Sequence, residues 1–185
     1  TTLWSGAYEG LNCVYFPTSN IGYVAGEDGI ILKTIDGGTS WSPLLSGTNY
    51  ALNSVYFTDA NSGYLVGNAG IILKTTDGGA TWIKFDRYYT GYQNLFSVRF
   101  TNTNTGFIVG LASVNTTDIG LLLKTTNNGL NWQRQNLIAN QYLNDIYFIN
   151  NLTGFIAGQD GLILKTTTGG EFIGINQISN EIPKN

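Results

Sequence analysis

The sequence predicts an all-β fold, a β-propeller built of four-stranded antiparallel blades, because one unit recurs four times within 185 residues. The four copies read GYVAGEDGIILKTIDGGTSW, GYLVGNAGIILKTTDGGATW, GFIVGLASVNTTDIGLLLKTTNNGLNW and GFIAGQDGLILKTTTGGEFI. Each copy holds several short apolar runs separated by turns rich in Gly and Asn, which is typical of propeller blades. We therefore expect four blade repeats in this chain.

The second unit shows the four strands expected in one blade. LNSVYF is a first strand, GYLVG a second, IILKTT a third and TWIKF a fourth, and the turns DANSG and NAG separate the first three. The first strand begins at Leu11, Leu52, Leu95 and Leu143, at steps of 41, 43 and 48 residues. The repeats are assigned to residues 1–177, with blades at about 11–51, 52–94, 95–142 and 143–177, a spare fourth strand at 1–10 and a tail or linker at 178–185.

The apolar positions of the first strands are expected to fill the layers between neighbouring blades. They are Val14, Val55, Val98 and Ile146, together with Phe16, Phe57, Phe100 and Phe148. The tight turn before each third strand is expected to need a positive φ, which Gly adopts without steric cost. The glycines at that turn are Gly29, Gly70, Gly120 and Gly161.

Composition restricts the classes of function. Only 11% of the residues are charged, the formal net charge is −3 and the basic residues are scattered, so neither nucleic acid nor an anionic membrane surface is an expected partner. No apolar run approaches the roughly 18 residues of a membrane helix, so no membrane insertion is expected. The chain has no His and only Cys13 as a thiol. Since His is the commonest general base and metal ligand, we expect no metal site and no cofactor.

Two segments, TIDGGTSW and TTDGGATW, resemble the Asp-box pattern Ser/Thr-x-Asp-x-Gly-x-x-Trp of sialidases and related propellers. The third copy has Asn127 in place of Asp, and the fourth has Thr168 there and Ile173 in place of Trp. The box is expected to be a turn device, in which the Asp or Asn side chain accepts backbone N–H groups and Trp packs into the blade. Its structural positions are Thr34, Asp36, Gly38, Trp41, Thr75, Asp77, Gly79, Trp82, Thr125, Asn127, Gly129 and Trp132.

The strand G-x-I-L-K-T leading into D-G-G-x-x-W most closely resembles the photosystem II stability and assembly factor family of propellers, and the likeness spans nearly the whole chain. It implies a fold more than a role in photosynthesis. The tail ISNEIPKN resembles the linker that precedes the sorting domain of proteins exported by bacterial type IX secretion. Together these resemblances predict a protein that is secreted or lies on the surface of a bacterium.

Differences between the copies are better guides to a site, because the shared architecture does not explain what only one blade has. Blade three alone has the long turn LASVNTTDI between Gly110 and Gly120, and the loop before it, DRYYTGYQN, is long and aromatic. Both loop classes are expected to open opposite the Asp boxes and to form one raised patch that suits a protein or a sugar. Alternatively, the tyrosine before each first strand is a structural repeat and the long turn is neutral drift. The predicted binding residues are Arg87, Tyr88, Tyr89, Tyr92, Asn115 and Asp118.

The sialidase resemblance implies an arginine triad that grips a substrate carboxylate. Arg87, Arg99 and Arg134 are the only arginines, and their positions in the repeat are not expected to converge. We therefore expect no enzyme, with a sialidase-like glycoside hydrolase as the alternative. One lysine recurs in every third strand and is expected to lie along a blade flank or to pair with carboxylates. The four residues are Lys33, Lys74, Lys124 and Lys165.

The expected function is a non-catalytic binding or assembly scaffold, whose partner is a protein, a glycan or further copies of the chain. Trp4 resembles the tryptophans of the fourth strands, so TLWSGAYE is expected to complete blade four of its own chain or to pair with another chain. Exposed sheet edges favour such pairing, which would produce oligomers or fibres. The family resemblance implies a further alternative, an assembly chaperone for a membrane protein complex.

Overall fold

The structure, a computed structural model, describes residues 10–85, 92–114, 117–137 and 140–170. The first blade contains β1 (Leu11–Tyr15), β2 (Gly22–Gly26), β3 (Ile31–Thr34) and β4 (Ser42–Leu44). The second contains β5 (Leu52–Phe57), β6 (Gly63–Gly67), β7 (Ile72–Thr75) and β8 (Ile83–Lys84). The third contains β9 (Gln93–Phe100), β10 (Gly106–Val114), β11 (Thr117–Thr125) and β12 (Gln133–Arg134). The fourth contains β13 (Leu143–Phe148), β14 (Gly154–Gly158) and β15 (Ile163–Thr166).

Each blade is an antiparallel meander in which strands pair in chain order. Three sheets have four strands and the described part of the fourth has three. This arrangement confirms the predicted all-β propeller of four blade repeats. The spare strand at 1–10 lies, except for Gly10, outside the described residues, as do the fourth strand expected at EFIGI and the tail, so the assigned boundaries of the repeats stay predictions. In the described ranges no helix has the length and hydropathy that a membrane span requires.

The blades pack face to face, with their first strands side by side at the inner edge of the array. β1 lies beside β5, β5 beside β9, and β9 beside β13. Three apolar clusters fill the layers between successive blades. In the first layer Phe57 stacks on Tyr23 of the preceding blade with ring centroids 4.1 Å apart, and Leu65 and Leu73 are fully buried beside it. Burial of each such side chain contributes about 1.5 to 3 kcal/mol.

The predicted inter-blade positions that a preceding blade covers are buried, except Phe148, which is half-buried. Val55, Val98 and Ile146 are at most 3% exposed, whereas Val14 is 62% exposed. Phe16 is likewise 41% exposed. The difference arises because no described blade precedes blade one.

Two rims border the array, and main-chain hydrogen bonds define them. At one rim, here called the turn rim, the end of strand two or the turn after it donates a hydrogen bond to a residue just before strand one. Examples are Asn68 N to Ala51 O at 2.9 Å and Ser113 N to Tyr92 O at 2.8 Å. At the opposite rim, here called the Asp-box rim, Gly78 N donates to Asn61 O of the strand one to strand two turn at 2.9 Å. The two loop classes of the predicted patch therefore share one rim, opposite the Asp boxes.

The segment predicted as a long turn in blade three is instead mostly strand. β10 and β11 continue their pairing past Gly110, through Leu111 with Gly120 and Ala112 with Ile119, as far as Val114 with Thr117. Leu111 and Ala112 are buried, so the extra residues extend the sheet and raise a hairpin above the turn rim. The expected positive φ is found at the corresponding glycines of the other three blades but not at Gly120, which lies within a strand. The three are Gly29, Gly70 and Gly161.

Candidate functional site

The raised hairpin of blade three carries part of the predicted binding site. Tyr92 and Asp118 are described, and both lie on the turn rim, at the base of the hairpin and in β11 respectively. The remaining predicted residues lie outside the described ranges, and they are Arg87, Tyr88, Tyr89 and Asn115. Their membership of the site stays a prediction.

Asp118 is the centre of a hydrogen-bonded group on this hairpin. Its carboxylate accepts the hydroxyl of Ser113 across the β10–β11 pair, and the hydroxyl of Tyr142 at 2.6 Å. These two bonds lower the pKa of the Asp118 carboxyl, since both donors favour its charged form. The same contact raises the pKa of Tyr142. The aspartate therefore ties the start of blade four to the hairpin of blade three.

A second hydrogen-bonded pair lies at the base of the hairpin. Asn94 donates its amide Nδ2 to the hydroxyl of Tyr92 at 2.9 Å, while its Oδ1 accepts Ala69 N of the preceding blade at 3.2 Å. Tyr92 is 58% exposed. We name the set Tyr92, Asn94, Ser113, Asp118 and Tyr142 the blade-three patch. The sequence did not predict Asn94, Ser113 and Tyr142 as members, although Tyr142 is the tyrosine that precedes the first strand of blade four.

The outer edge of β11 adds main-chain groups to this patch. β12 pairs only with Leu123 and Lys124 of β11, and Gln135 N bonds to Leu122 O. In the described part of the chain, no strand pairs with that edge over residues 117–121. The patch therefore offers an aromatic surface, oriented polar side chains and a strand edge to which an extended segment can add.

The Asp boxes are structural turns on the opposite rim, as predicted. In the first box, Asp36 accepts Thr34 Oγ1 at 2.7 Å, Ser40 N at 2.9 Å and Ser40 Oγ at 2.6 Å. The Thr34 hydroxyl in turn accepts Gly38 N at 2.9 Å. Hydrogen bonds from Ser40 and Thr34 lower the pKa of Asp36 to about 2. The second box repeats this geometry, and Thr81 lowers the pKa of Asp77 to about 2 in the same way.

The weaker boxes keep part of this arrangement. Asn127 accepts Asn131 N at 3.0 Å and Thr125 Oγ1 at 2.9 Å, so an amide replaces the carboxylate without loss of the turn. In the fourth copy, Gly170 N reaches Thr166 Oγ1 at 3.3 Å, compared with 2.9 Å in the first box. The tryptophans pack edge-on against the phenylalanine at the end of strand one of the same blade, or directly after it in blade one. The three pairs are Trp41 with Phe16, Trp82 with Phe57, and Trp132 with Phe100.

The repeated lysines have a role that sequence analysis missed. Lys33 donates to Gly78 O of the next blade at 2.7 Å, and Lys74 donates to Asn128 O at 2.5 Å. The hydroxyl of Tyr23 shares the Gly78 carbonyl at 2.7 Å. These two lysines therefore donate hydrogen bonds to main-chain oxygens in the Asp-box turn of the following blade, where the sequence had suggested carboxylate partners. The recurrence of a lysine in every third strand indicated a shared structural role. The acceptor could not be predicted, because a main-chain oxygen is present in every residue and no residue type identifies it.

The described arginines do not form a carboxylate-binding triad. Arg99 lies in the inner strand β9, where its Nη1 donates to Val98 O at 2.7 Å, and Arg134 lies in the outer strand β12 of the same sheet. Three strand spacings separate inner and outer strands, a distance of about 14 Å. Arg87 lies outside the described residues. Among the described residues, no group of three or more His, Cys, Asp or Glu side chains is placed to hold a metal ion.

Comparison with known proteins identifies the family. The model of the family described as Photosynthesis system II assembly factor YCF48 matches residues 8–88 and 89–185. A comparison with curated protein sequences finds no significant match.

Solved structures show the same fold at low sequence identity. A structure of YCF48 bound to a D1 peptide is 18% identical with a TM-score of 0.55, over 88% of this chain and 79% of that one. YCF48 from Cyanidioschyzon merolae is 18% identical with a TM-score of 0.69, over 84% of this chain and 50% of that one. A GH74 enzyme from Niastella koreensis is 17% identical with a TM-score of 0.73, over 92% of this chain but 30% of that one. Because the family model matches nearly the whole sequence, this chain belongs to the Photosynthesis system II assembly factor YCF48 family.

Proposed function

We propose that this protein is a non-catalytic assembly factor that binds an extended segment of a client protein at the blade-three patch. Membership of the YCF48 family is the observation that carries the proposal. A structure of YCF48 is described as bound to a D1 peptide, so a propeller of this family accepts a peptide. The alternative that the sequence suggested, an assembly chaperone, is therefore favoured over a general scaffold.

The geometry of the patch supports a peptide as the ligand. The edge of β11 over residues 117–121, with which no described strand pairs, presents main-chain donors and acceptors that can bind an added strand. Tyr92 lies beside this hairpin and offers an exposed ring, which contributes contact area at a small cost in side-chain entropy. Asp118 is held in one orientation by Ser113 and Tyr142, so it is preorganised to accept a hydrogen bond from a client.

Binding to an immobilised library of 15-residue peptides, followed by fluorescence anisotropy with the best sequence, tests this proposal. We expect Tyr92→Ala and Asp118→Asn each to weaken the selected peptide by about tenfold or more, which corresponds to at least about 1.4 kcal/mol. Tyr50→Ala is the control, because Tyr50 is likewise a tyrosine just before strand one, in blade two, and is 43% exposed. Equal effects of the three substitutions, or the absence of any selected peptide, would contradict the assignment.

A glycoside hydrolase of the sialidase or GH74 kind is the second candidate. The likeness to the GH74 enzyme from Niastella koreensis favours it at the level of fold alone. The separation of Arg99 and Arg134 in the sheet argues against a sialidase site. Turnover of a panel of fluorogenic glycosides by the purified chain would establish this candidate in place of the assembly factor.

Location and self-association through sheet edges are proposed on the sequence alone. The tail at 178–185 supports export by type IX secretion and a place outside a bacterial cell. Mass spectrometry of the culture medium of the source bacterium tests export, because an exported chain is recovered there without the cytoplasmic marker proteins. A glycan partner is tested by the same anisotropy assay, with labelled oligosaccharides in competition with the peptide.

A further inference from the structure

The two ends of the blade array present uncovered faces that match the internal interfaces of the array. The leading face is the side of blade one that a preceding blade would cover, and it includes Leu11, Val14 and Phe16. The trailing face is the side of blade four that a following blade would cover. It comprises Asn144, Tyr147, Phe155, Ile163 and Lys165.

Residues at the same repeat positions are buried inside the array. Val14 is 62% exposed on the leading face, whereas Val55 in blade two is 3% exposed. Ile163 is 53% exposed on the trailing face, whereas Ile72 in blade two is 8% exposed. Each end face therefore carries the residue positions that form one half of an internal interface, and the positions of the other half lie at the opposite end of the array.

The asparagine of strand one is a polar contact of the internal interfaces. Asn12 Nδ2 donates to Leu52 O of the next blade at 3.2 Å, and Asn53 Nδ2 donates to Leu95 O at 2.9 Å. Blade four keeps this residue as Asn144, which is exposed. Asn144 is thus equipped to bind the first strand of a following blade.

The tyrosine of strand one makes a second such contact. The hydroxyl of Tyr15 donates to Phe57 O at 3.1 Å, and that of Tyr56 donates to Phe100 O at 3.3 Å. Blade four keeps this residue as Tyr147, which is 62% exposed. Blade three packs on blade four, yet it has Phe at the asparagine position and Arg at the tyrosine position. Packing on a following blade therefore does not by itself require the asparagine or the tyrosine. They are Phe96 and Arg99.

A lysine and an aromatic ring provide the remaining contacts between neighbouring blades, and both residues are present on the trailing face. Lys33 and Lys74 donate to the Asp-box turn of the next blade, and the equivalent Lys165 is exposed with its Nζ 5.8 Å from the ring centre of Phe155. The ring equivalent to Phe155 in blade two, Tyr64, is fully buried and stacks on the phenylalanine of the following blade at 4.3 Å. The trailing face therefore retains every type of contact that joins blades one, two and three.

We propose that the trailing face binds the leading face of a second copy of this chain, and that two copies close an eight-bladed ring. Asn144 then donates to Leu11 O of the other copy, Tyr147 donates to Phe16 O, and Lys165 donates to Gly37 O of its first Asp box. Among the described residues, the end faces of blades one and four are both exposed, so these two blades do not pack on each other, and propellers typically have four to eight blades. A head-to-tail contact that closes after two copies yields such a ring without an uncovered face.

Light scattering on the full chain over a concentration series tests the proposal, with one lysine substitution on each face. We expect the wild-type chain to have twice the mass of one chain, and Val14→Lys or Ile163→Lys to weaken the association by about a hundredfold or more, because each buries an unpaired charge. Leu130→Lys is the matched control, since Leu130 is 59% exposed on an internal blade. It should leave the mass unchanged.

Mixing the two variants provides a test of direction. The Val14→Lys chain has an intact trailing face and the Ile163→Lys chain an intact leading face, so their equimolar mixture should form a dimer through one interface while each alone stays monomeric. Circular dichroism should show that both variants keep the wild-type spectrum, because both positions are exposed. A wild-type chain that is monomeric at all concentrations, or a dimer that neither lysine weakens, would overturn the proposal.

Discussion

The close approach of strands one and two at Gly67 permits a quantitative prediction about stability. Gly67 ends β6 and pairs with Leu52, and the adjacent Asn68 N donates to Ala51 O at 2.9 Å. A Cβ atom added at Gly67 would lie 2.0 Å from Ala51 O and 3.0 Å from Leu52 Cα. Both obstacles are main-chain atoms. The substitution Gly67→Ala therefore forces the two strands to separate by roughly 1.4 Å, the difference between 2.0 Å and the shortest ordinary contact distance of 3.4 Å.

Two costs add for Gly67→Ala. Overpacking of a well-packed region typically costs about 1 to 3 kcal/mol. Lengthening the hydrogen bond from Asn68 N to Ala51 O, which joins two half-buried residues, costs about 0.5 to 1.5 kcal/mol more. We expect the free energy of unfolding to fall by about 1.5 to 4.5 kcal/mol, a substantial part of the roughly 5 to 15 kcal/mol typical of a domain.

Urea unfolding followed by tryptophan fluorescence measures this loss. Gly47→Ala is the control, because Gly47 has a φ of 72° and a Cβ atom added there would meet no other atom within 4 Å, so only the left-handed backbone is penalised. That penalty is about 1 to 2 kcal/mol. The steric reasoning is refuted if Gly67→Ala costs less than Gly47→Ala, or if it leaves the midpoint of unfolding unchanged.

Three further predictions concern titration, inter-blade contacts and thiol reactivity. The pKa of Asp36 and of Asp77 is about 2 in the folded chain, below the unfolded value near 3.9. The stability that the two ionised carboxylates give to the fold should therefore be complete above about pH 4 and lost as the pH falls through 2. Urea midpoints across that range should change less in the variant with asparagine at both positions. Lys74→Met should reduce the free energy of unfolding by about 1 to 2 kcal/mol, because Lys74 is 8% exposed and donates to Asn128 O. Lys165→Met should cost under about 0.5 kcal/mol in the isolated chain. Equal costs in urea unfolding would contradict the contact between Lys74 and the Asp-box turn. Burial raises the pKa of Cys13 to about 11, so little thiolate is present at pH 8. Ellman's reagent should therefore label the folded chain slowly at pH 8 and the urea-unfolded chain rapidly. Rapid labelling of the folded chain would show that the thiol is accessible.

The repeat determined most of what could be predicted from the sequence. Asp36 and Thr34 form their turn within a few residues of chain, so the local motif specifies both the donor and the acceptor. Phe57 and Val55 were assigned to the inter-blade layer because the apolar positions recur in every copy, and both are 3% exposed. Local and periodic signals are read directly from a single sequence because they need no knowledge of distant partners.

The errors arose where the partner is distant or lacks a side chain. Lys33 reaches the main-chain oxygen of Gly78, 45 residues away, and no residue type marks that acceptor. The segment after Gly110 resembled a loop because its Ser, Asn and Thr residues favour turns, yet the burial of Leu111 and Ala112 favours continued strand pairing. Tertiary burial outweighed local propensity at this hairpin, which is also the feature that distinguishes blade three.

The placement of the two proposed contacts has a consequence for client binding. Ring closure uses the flat faces of blades one and four, whereas the blade-three patch lies on the turn rim, so neither contact obstructs the other. A two-fold axis along the centre of the ring would place both copies of the patch on the same rim, facing one side. A client with two suitable segments would then bind both patches, and its second contact would be intramolecular and strengthened by effective concentration. Linking two copies of the selected peptide should therefore increase affinity for the wild-type chain by about tenfold or more, but not for the Val14→Lys chain, in which the single patch cannot be bridged.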